Sequence, residues 1–62
     1  MENKVKERRE ELHMSQVELS EKAGVSRQTV YALETNKANN ITMATMLAIA
    51  HALESTVDKI FL

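Results

Sequence analysis

The chain has a single glycine, Gly24, and no proline, so the natural site for a left-handed backbone turn is one position. Helix starts can be read on both sides of it. Upstream, Ser15 followed three residues later by Glu18 makes a capping box, and Met14 with Leu19 makes the hydrophobic staple across the same start. Downstream, Ser26 caps another helix, with Val25 and Val30 as its staple. The upstream helix can therefore run only to Ala23, where Gly24 ends it. Two short helices meet at one glycine, and that junction restricts the fold more than any other feature of the sequence.

The rest of the chain is read by the same signals. Ala, Leu, Met, Glu and Lys are frequent, there are two aromatics, and no alternating β-branched run occurs, so the fold is expected to be all-α. Asn3 caps a first helix whose Val5, Arg9 and Leu12 share one face. Thr42 caps a fourth helix, with Ile41 and Met46 as staple and its end near Leu53. A last short helix holds Val57, Ile60 and Phe61, and either Ser55, with Asp58 three residues on, or Thr56 can cap it. With 62 residues, 44% hydrophobic and 27% charged, the chain reads as one small folded domain over 1–62. A chain this short buries only about 60% of its unfolded surface. Without cysteine there is neither a disulfide nor a thiolate metal site, so tight helix packing and self-association are the expected supports, in a cytoplasmic setting. The apolar stretch from Ile41 to Leu53, broken by Thr42, Thr45 and His51, falls short of the roughly 18 residues of a membrane span, and the start lacks a signal-peptide pattern. No membrane partner is expected.

From Gln16 to Thr35 the chain has the pattern of a helix-turn-helix. Leu19 and Ala23 face inward on the second helix, Gly24 makes the turn, Val25 follows it, and Val30 and Leu33 face inward on the third. Here the sequence resembles the Cro/phage-repressor type (XRE-like) helix-turn-helix family, over nearly all 62 residues. The resemblance is carried by Arg8-Arg9-Glu10-Glu11-Leu12, by Met14-Ser15-Gln16-Val17-Glu18-Leu19-Ser20, and by Ala23-Gly24-Val25-Ser26-Arg27-Gln28-Thr29-Val30-Tyr31. It continues through Leu33-Glu34-Thr35-Asn36-Lys37, Asn40-Ile41-Thr42 and Val57-Asp58-Lys59-Ile60-Phe61. It implies a compact five-helix, lambda-repressor-like DNA-binding domain whose third helix reads double-stranded DNA.

Val30 and Leu33 fix the buried side of that helix, which turns Arg27, Gln28, Tyr31, Ala32 and Thr35 outward. Arg27 suits bidentate donation to guanine O6 and N7, and the Gln28 amide suits adenine N6 and N7. The family places base-reading side chains at these first positions of its recognition helix, with Tyr31 one turn on. Ala32 can offer apolar contact to a thymine methyl. Gln16 opens the second helix, where free backbone N–H groups favour an anion, and the resemblance implies a phosphate contact there. Ser26, Asn36, Lys37, Asn39 and Asn40 flank the third helix and are candidates for contacts to the DNA backbone, although Asn39 and Asn40 suit turn formation equally well. Arg9 and Glu34 each lie beside apolar residues of their helices and need a partner; the resemblance pairs them in a partly buried salt bridge.

The chain also departs from the family. His13 and Glu54 stand where many relatives end helices one and four with glycine, Ser20 replaces the usual alanine, and Ser55 takes a usually apolar place. On helix four, Met43, Met46, Ile49, Ala50 and Leu53 are the expected inward positions. Ala44, Leu47, Ala48 and His51, where relatives commonly carry charge, make a second apolar side. Exposed apolar stripes of this kind mark association surfaces, so this stripe, with Phe61 and Leu62, is the expected interface of a homodimer. The alternative is an Ala-rich solvent face.

No nucleophile–base pair, Gly-rich phosphate loop or carboxylate dyad can be assembled, so no enzyme is expected. Glu10 with His13, and His51 with Glu54, have carboxylate and imidazole at i, i+3, a spacing that ligates a metal only if two such helices face each other. Neither a metal, another cofactor nor a small-molecule effector is expected. Eight Lys and Arg against nine Asp and Glu leave a net charge of −1, where nucleic-acid binders more often carry a basic excess. Placement matters more than the total, since Arg27 and Lys37 lie on the proposed contact surface. The leading expectation is a homodimeric repressor on a near-palindromic operator. The second is a protein-binding adaptor or antitoxin-like module that keeps the fold without the DNA contacts.

Overall fold

Side-chain caps fix the starts of four helices in the computed structural model, which describes residues 2–62. The helices are α1 (Val5–Glu11), α2 (Gln16–Ala23), α3 (Arg27–Glu34), α4 (Met43–Ala52) and α5 (Val57–Phe61), and no strand occurs among the described residues. This is the all-α, five-helix architecture expected from the sequence. At α2 the capping box is complete: the Ser15 hydroxyl accepts from the Glu18 N–H at 3.0 Å, and Glu18 Oε1 accepts from the Ser15 N–H at 2.9 Å. The bonds from the Ser15 N–H and hydroxyl hold the Glu18 carboxyl below its usual range. Ser26, Thr42 and Thr56 accept from the N–H three residues on, at 3.1, 3.1 and 3.3 Å. Of the two candidates at α5, Thr56 is therefore the cap.

The start of α1 differs from the expectation. The cap position falls on Lys4, whose side chain makes no capping bond. Asn3 caps from one residue further out, its Oδ1 accepting from the Val5 N–H at 3.0 Å. Its amide group is meanwhile drawn across the molecule, where Nδ2 donates to the Leu33 carbonyl at 2.8 Å. The Lys4 N–H donates to the Ile60 carbonyl at 2.8 Å and joins α1 to α5.

Four helices end in the same way. After α2, Gly24 is left-handed (φ 71°) and the Val25 N–H reaches back five residues to the Ser20 carbonyl at 3.0 Å. The same bond runs from Met14 to Arg9, from Lys37 to Ala32 and from Ser55 to Ala50, at 3.1, 2.9 and 2.9 Å. The left-handed residues at those ends are His13 (φ 55°), Asn36 (φ 59°) and Glu54 (φ 54°). Three of these four ends thus take the left-handed geometry without glycine, a conformation that Asn36 and His13 tolerate and that strains Glu54. A Cβ at Gly24 would meet nothing within 4 Å, so only the backbone conformation favours glycine there.

The core is built from Val5, Leu19, Val30, Leu33, Ile49 and Leu53, all fully buried, with Ala38, Ala50, Ala52, Ile60 and Phe61 around them. The second helix packs on α3 and α4, α1 on α3 and α5, and α4 on α5. Ser20 fits its buried site because its hydroxyl donates to the Val17 carbonyl at 2.7 Å. Two expectations need correction. Met43 is 60% exposed, because the core side of α4 is set by Met46, Ile49, Ala50 and Leu53, and Met43 shares the outward side with Leu47, four residues on. Phe61, expected at an interface, is 8% exposed and belongs to the core of its own chain; Leu62, at 94%, is the exposed residue of that pair. Ala38, buried in the loop between α3 and α4, was not anticipated.

Candidate nucleic-acid interface

The buried pair Val30 and Leu33 orients α3 so that Arg27, Gln28 and Tyr31 stand in solvent, with Tyr31 more than half exposed. Ala32 is half-buried against the core and offers only an edge to that face. Thr35 is turned back on the helix, its hydroxyl donating to the Tyr31 carbonyl at 2.9 Å. Around the face, Ser26, Asn36, Lys37, Asn39 and Asn40 are exposed. The Ser26 hydroxyl is already engaged, bonded to the Thr29 N–H at 3.1 Å and the Thr29 hydroxyl at 2.9 Å, so the site it has to offer is its backbone N–H. Asn40 shares with Asn36 the left-handed conformation (φ 57°) that asparagine tolerates.

Behind the exposed face, α1 holds the end of α3. Arg9 Nε donates to Glu34 Oε2 at 2.6 Å and Nη2 to Glu34 Oε1 at 3.1 Å, a bidentate pair with side chains 12% and 3% exposed. Its remaining nitrogen, Nη1, donates to the Met14 carbonyl at 2.6 Å, just before α2. The hydrogen bond to Glu34 raises the Arg9 pKa above its ordinary value, against the opposing effect of burial. Gln16 is half-buried rather than free in solvent, and its Nε2 donates to Glu34 Oε1 at 3.1 Å. The Glu34 carboxylate therefore joins the end of α3 to both α1 and the first residue of α2.

The sequence did not reveal two other polar contacts. One is the Asn3 bond to Leu33, which adds a second hold of the α1 entrance on the end of α3. The other is Arg8, whose Nε donates to the Leu53 carbonyl at 2.9 Å and Nη2 to the Glu54 carbonyl at 3.4 Å, satisfying the end of α4. A basic residue suits a helix end, but partners 45 residues apart leave no local signal.

Away from the α3 face, α4 presents Ala44, Leu47 and His51 exposed and Ala48 half-buried, with Leu47 at 55%. No Asp, Glu, Lys or Arg occurs in the ten residues of α4. An open groove beside it is bordered by Lys22, Ala23, Leu47, Ala48, His51, Ala52 and Glu54. No helix among the described residues is long and apolar enough to cross a membrane.

A helix-turn-helix family model matches residues 5–60. The chain is similar to SinR, a master regulator for biofilm formation, in its crystal structure with DNA: 29% identical over 89% of this chain and 87% of that one, with a TM-score of 0.82. It is similar also to a chain from the complex of the SinR and SinI proteins, 30% identical over 87% of this chain with a TM-score of 0.80, and spans about half (52%) of that chain's length. A chain of apo-HppE matches at 29% identity and a TM-score of 0.79 over 89% of this chain, but over only 30% of its own. No curated protein sequence matches.

Proposed function

The chain belongs to the Cro/C1-type (XRE-like) helix-turn-helix family of DNA-binding regulators, and from that premise we propose that it acts as a homodimeric repressor reading a near-palindromic operator. The observation that carries this reading is the outward face of α3. Arg27, Gln28 and Tyr31 are exposed at the start and middle of a helix whose other end is tied down by Arg9 and Asn3. A helix so anchored presents guanidinium and amide groups at the spacing that base edges in a major groove can meet. Gln16, Asn36, Lys37, Asn40 and the Ser26 backbone would supply contacts to phosphate, fixing register without reading sequence. The similarity to SinR in complex with DNA supports the same reading.

The dimer is supported by the outer side of α4, where Leu47, Ala44 and His51 are exposed in a helix without Asp, Glu, Lys or Arg. Two copies related by a two-fold axis would place recognition helices in successive major grooves about 34 Å apart. The second reading, a protein-binding module, draws on the same apolar side and on the net charge of −1.

Selection of duplexes from a random pool, followed by a salt titration of binding, separates the two. A recovered palindrome, an affinity falling with salt on a shallow slope, and loss of binding in Arg27→Ala and Gln28→Ala support the regulator. An unenriched pool, or binding indifferent to both substitutions, supports the protein-binding module. Sedimentation of the wild type and of Leu47→Glu tests the dimer: a monomer in both cases removes it.

A further inference from the structure

The Glu34 carboxylate accepts three hydrogen bonds, two from Arg9 and one from Gln16. The primary amide of a glutamine carries two N–H donors. Gln16 gives one of them to Glu34, and because the amide is planar, the second must point away from that carboxylate. Gln16 is also the first residue of α2, an eight-residue helix whose free backbone N–H groups favour an anion. A carboxylate directly behind a phosphate contact would ordinarily repel the phosphate. Here the Arg9 guanidinium covers both carboxylate oxygens, so the group keeps its acceptor geometry while its charge is matched. The third Arg9 bond, to the Met14 carbonyl, fixes the chain two residues before Gln16.

We infer that Glu34 is a positioning residue for phosphate binding: it holds the Gln16 amide ready, with one N–H directed to the DNA backbone, and so couples the register of α2 on phosphate to the placement of α3. The inference rests on the DNA-binding reading. A glutamine already held in one rotamer loses less freedom on binding than a mobile one, so its contact contributes more.

The test uses Arg9→Met/Glu34→Met, which removes acceptor and charge together and leaves no unpaired ion in the core. Gln16→Ala is made in this background and in the wild type, and all four proteins are titrated with the duplex enriched by the wild type. Gln16→Ala should weaken wild-type binding about tenfold, the worth of one charge-assisted hydrogen bond, and should weaken the Met/Met variant less than about threefold. The same base pairs should be enriched in both backgrounds. An equal tenfold loss in both overturns the inference and leaves Glu34 a structural anchor only. In the free wild-type protein, NMR should show the two Gln16 amide protons exchanging with water at different rates. Equal, unprotected rates overturn it even if the double variant fails to fold. If the wild type binds no duplex while one Gln16 proton is protected, the DNA reading has failed and the coupling to phosphate falls with it.

Discussion

The third and fourth helices start alike, each from a hydroxyl cap, and both bury a core side, yet the polar contacts that hold them differ. The far end of α3 is fixed by directional bonds, from Asn3 to Leu33 and from Arg9 to Glu34, and its outward face is polar. The fourth helix buries Ile49, Ala50 and Leu53, its end is met by Arg8 at the backbone carbonyls of Leu53 and Glu54, and its outward face is apolar. Burial is proportional to area and indifferent to direction, and on α4 the bonds that add direction go to backbone carbonyls at its end, whereas α3 is also gripped through a side chain of its own, Glu34. A helix that must present three side chains to a groove needs its rotation and translation fixed, which hydrogen bonds do.

The contrast can be broken most severely at Glu34. Glu34→Ala leaves the guanidinium of Arg9 without its partner in a site where both side chains are largely buried, and should cost about 3–5 kcal/mol. In a domain this small that approaches the whole stability, so urea or thermal melting should find the variant largely unfolded. A change under 1 kcal/mol, roughly, would show that packing rather than the ion pair secures α3.

On α4 the comparison is between its two sides. Ile49→Ala should lose about 2–5 kcal/mol, whereas Leu47→Ala should stay within about 0.5 kcal/mol in a sample dilute enough to be monomeric. Comparable losses at the two positions would mean that the outer side is packed within the chain and is no free surface.

A smaller effect, of opposite sign, is expected at the end of α4. Glu54→Gly relieves a left-handed side chain but adds freedom to the unfolded chain, for a net gain of a few tenths to about 1 kcal/mol. The Arg8 bond to the Glu54 carbonyl would survive it. His13→Gly and Asn36→Gly should gain less, because histidine and asparagine tolerate the conformation.

The smallest effect concerns pH. The Glu18 carboxyl is held below its ordinary value by Ser15, so its contribution is complete above the unfolded carboxyl's pKa and is lost as pH falls through the folded one. Glu18→Gln, which keeps the box but not the charge, should flatten the acid limb of the wild-type stability profile, and identical limbs would show that the carboxylate charge adds nothing measurable.

The parts of this structure that follow local rules were legible in the sequence. Ser15 with Glu18, Ser26, Thr42 and Gly24 mark starts and stops through bonds spanning three to five residues, and the inward set Leu19, Val30, Leu33, Ile49 and Leu53 follows from the helical period. What stayed hidden depends on the meeting of distant elements. Nothing near Arg8 indicates the carbonyls of Leu53 and Glu54, and nothing near Asn3 indicates Leu33. The outward turn of Met43 and the burial of Phe61 carry no sequence signal, because the helical period gives a side but not how far the neighbouring helix extends over it. At the proposed interface the exposed face was legible, while the tie between Gln16 and Glu34 was not.

The single bond from the Lys4 N–H to the Ile60 carbonyl reaches further than its size suggests. It links α5 to α1, and α1 in turn holds α3, so opening at one end of the molecule is transmitted to the helix proposed to touch DNA. Amides in α1 and α5 should then exchange with solvent in one cooperative event with those of α3, rather than by independent fraying.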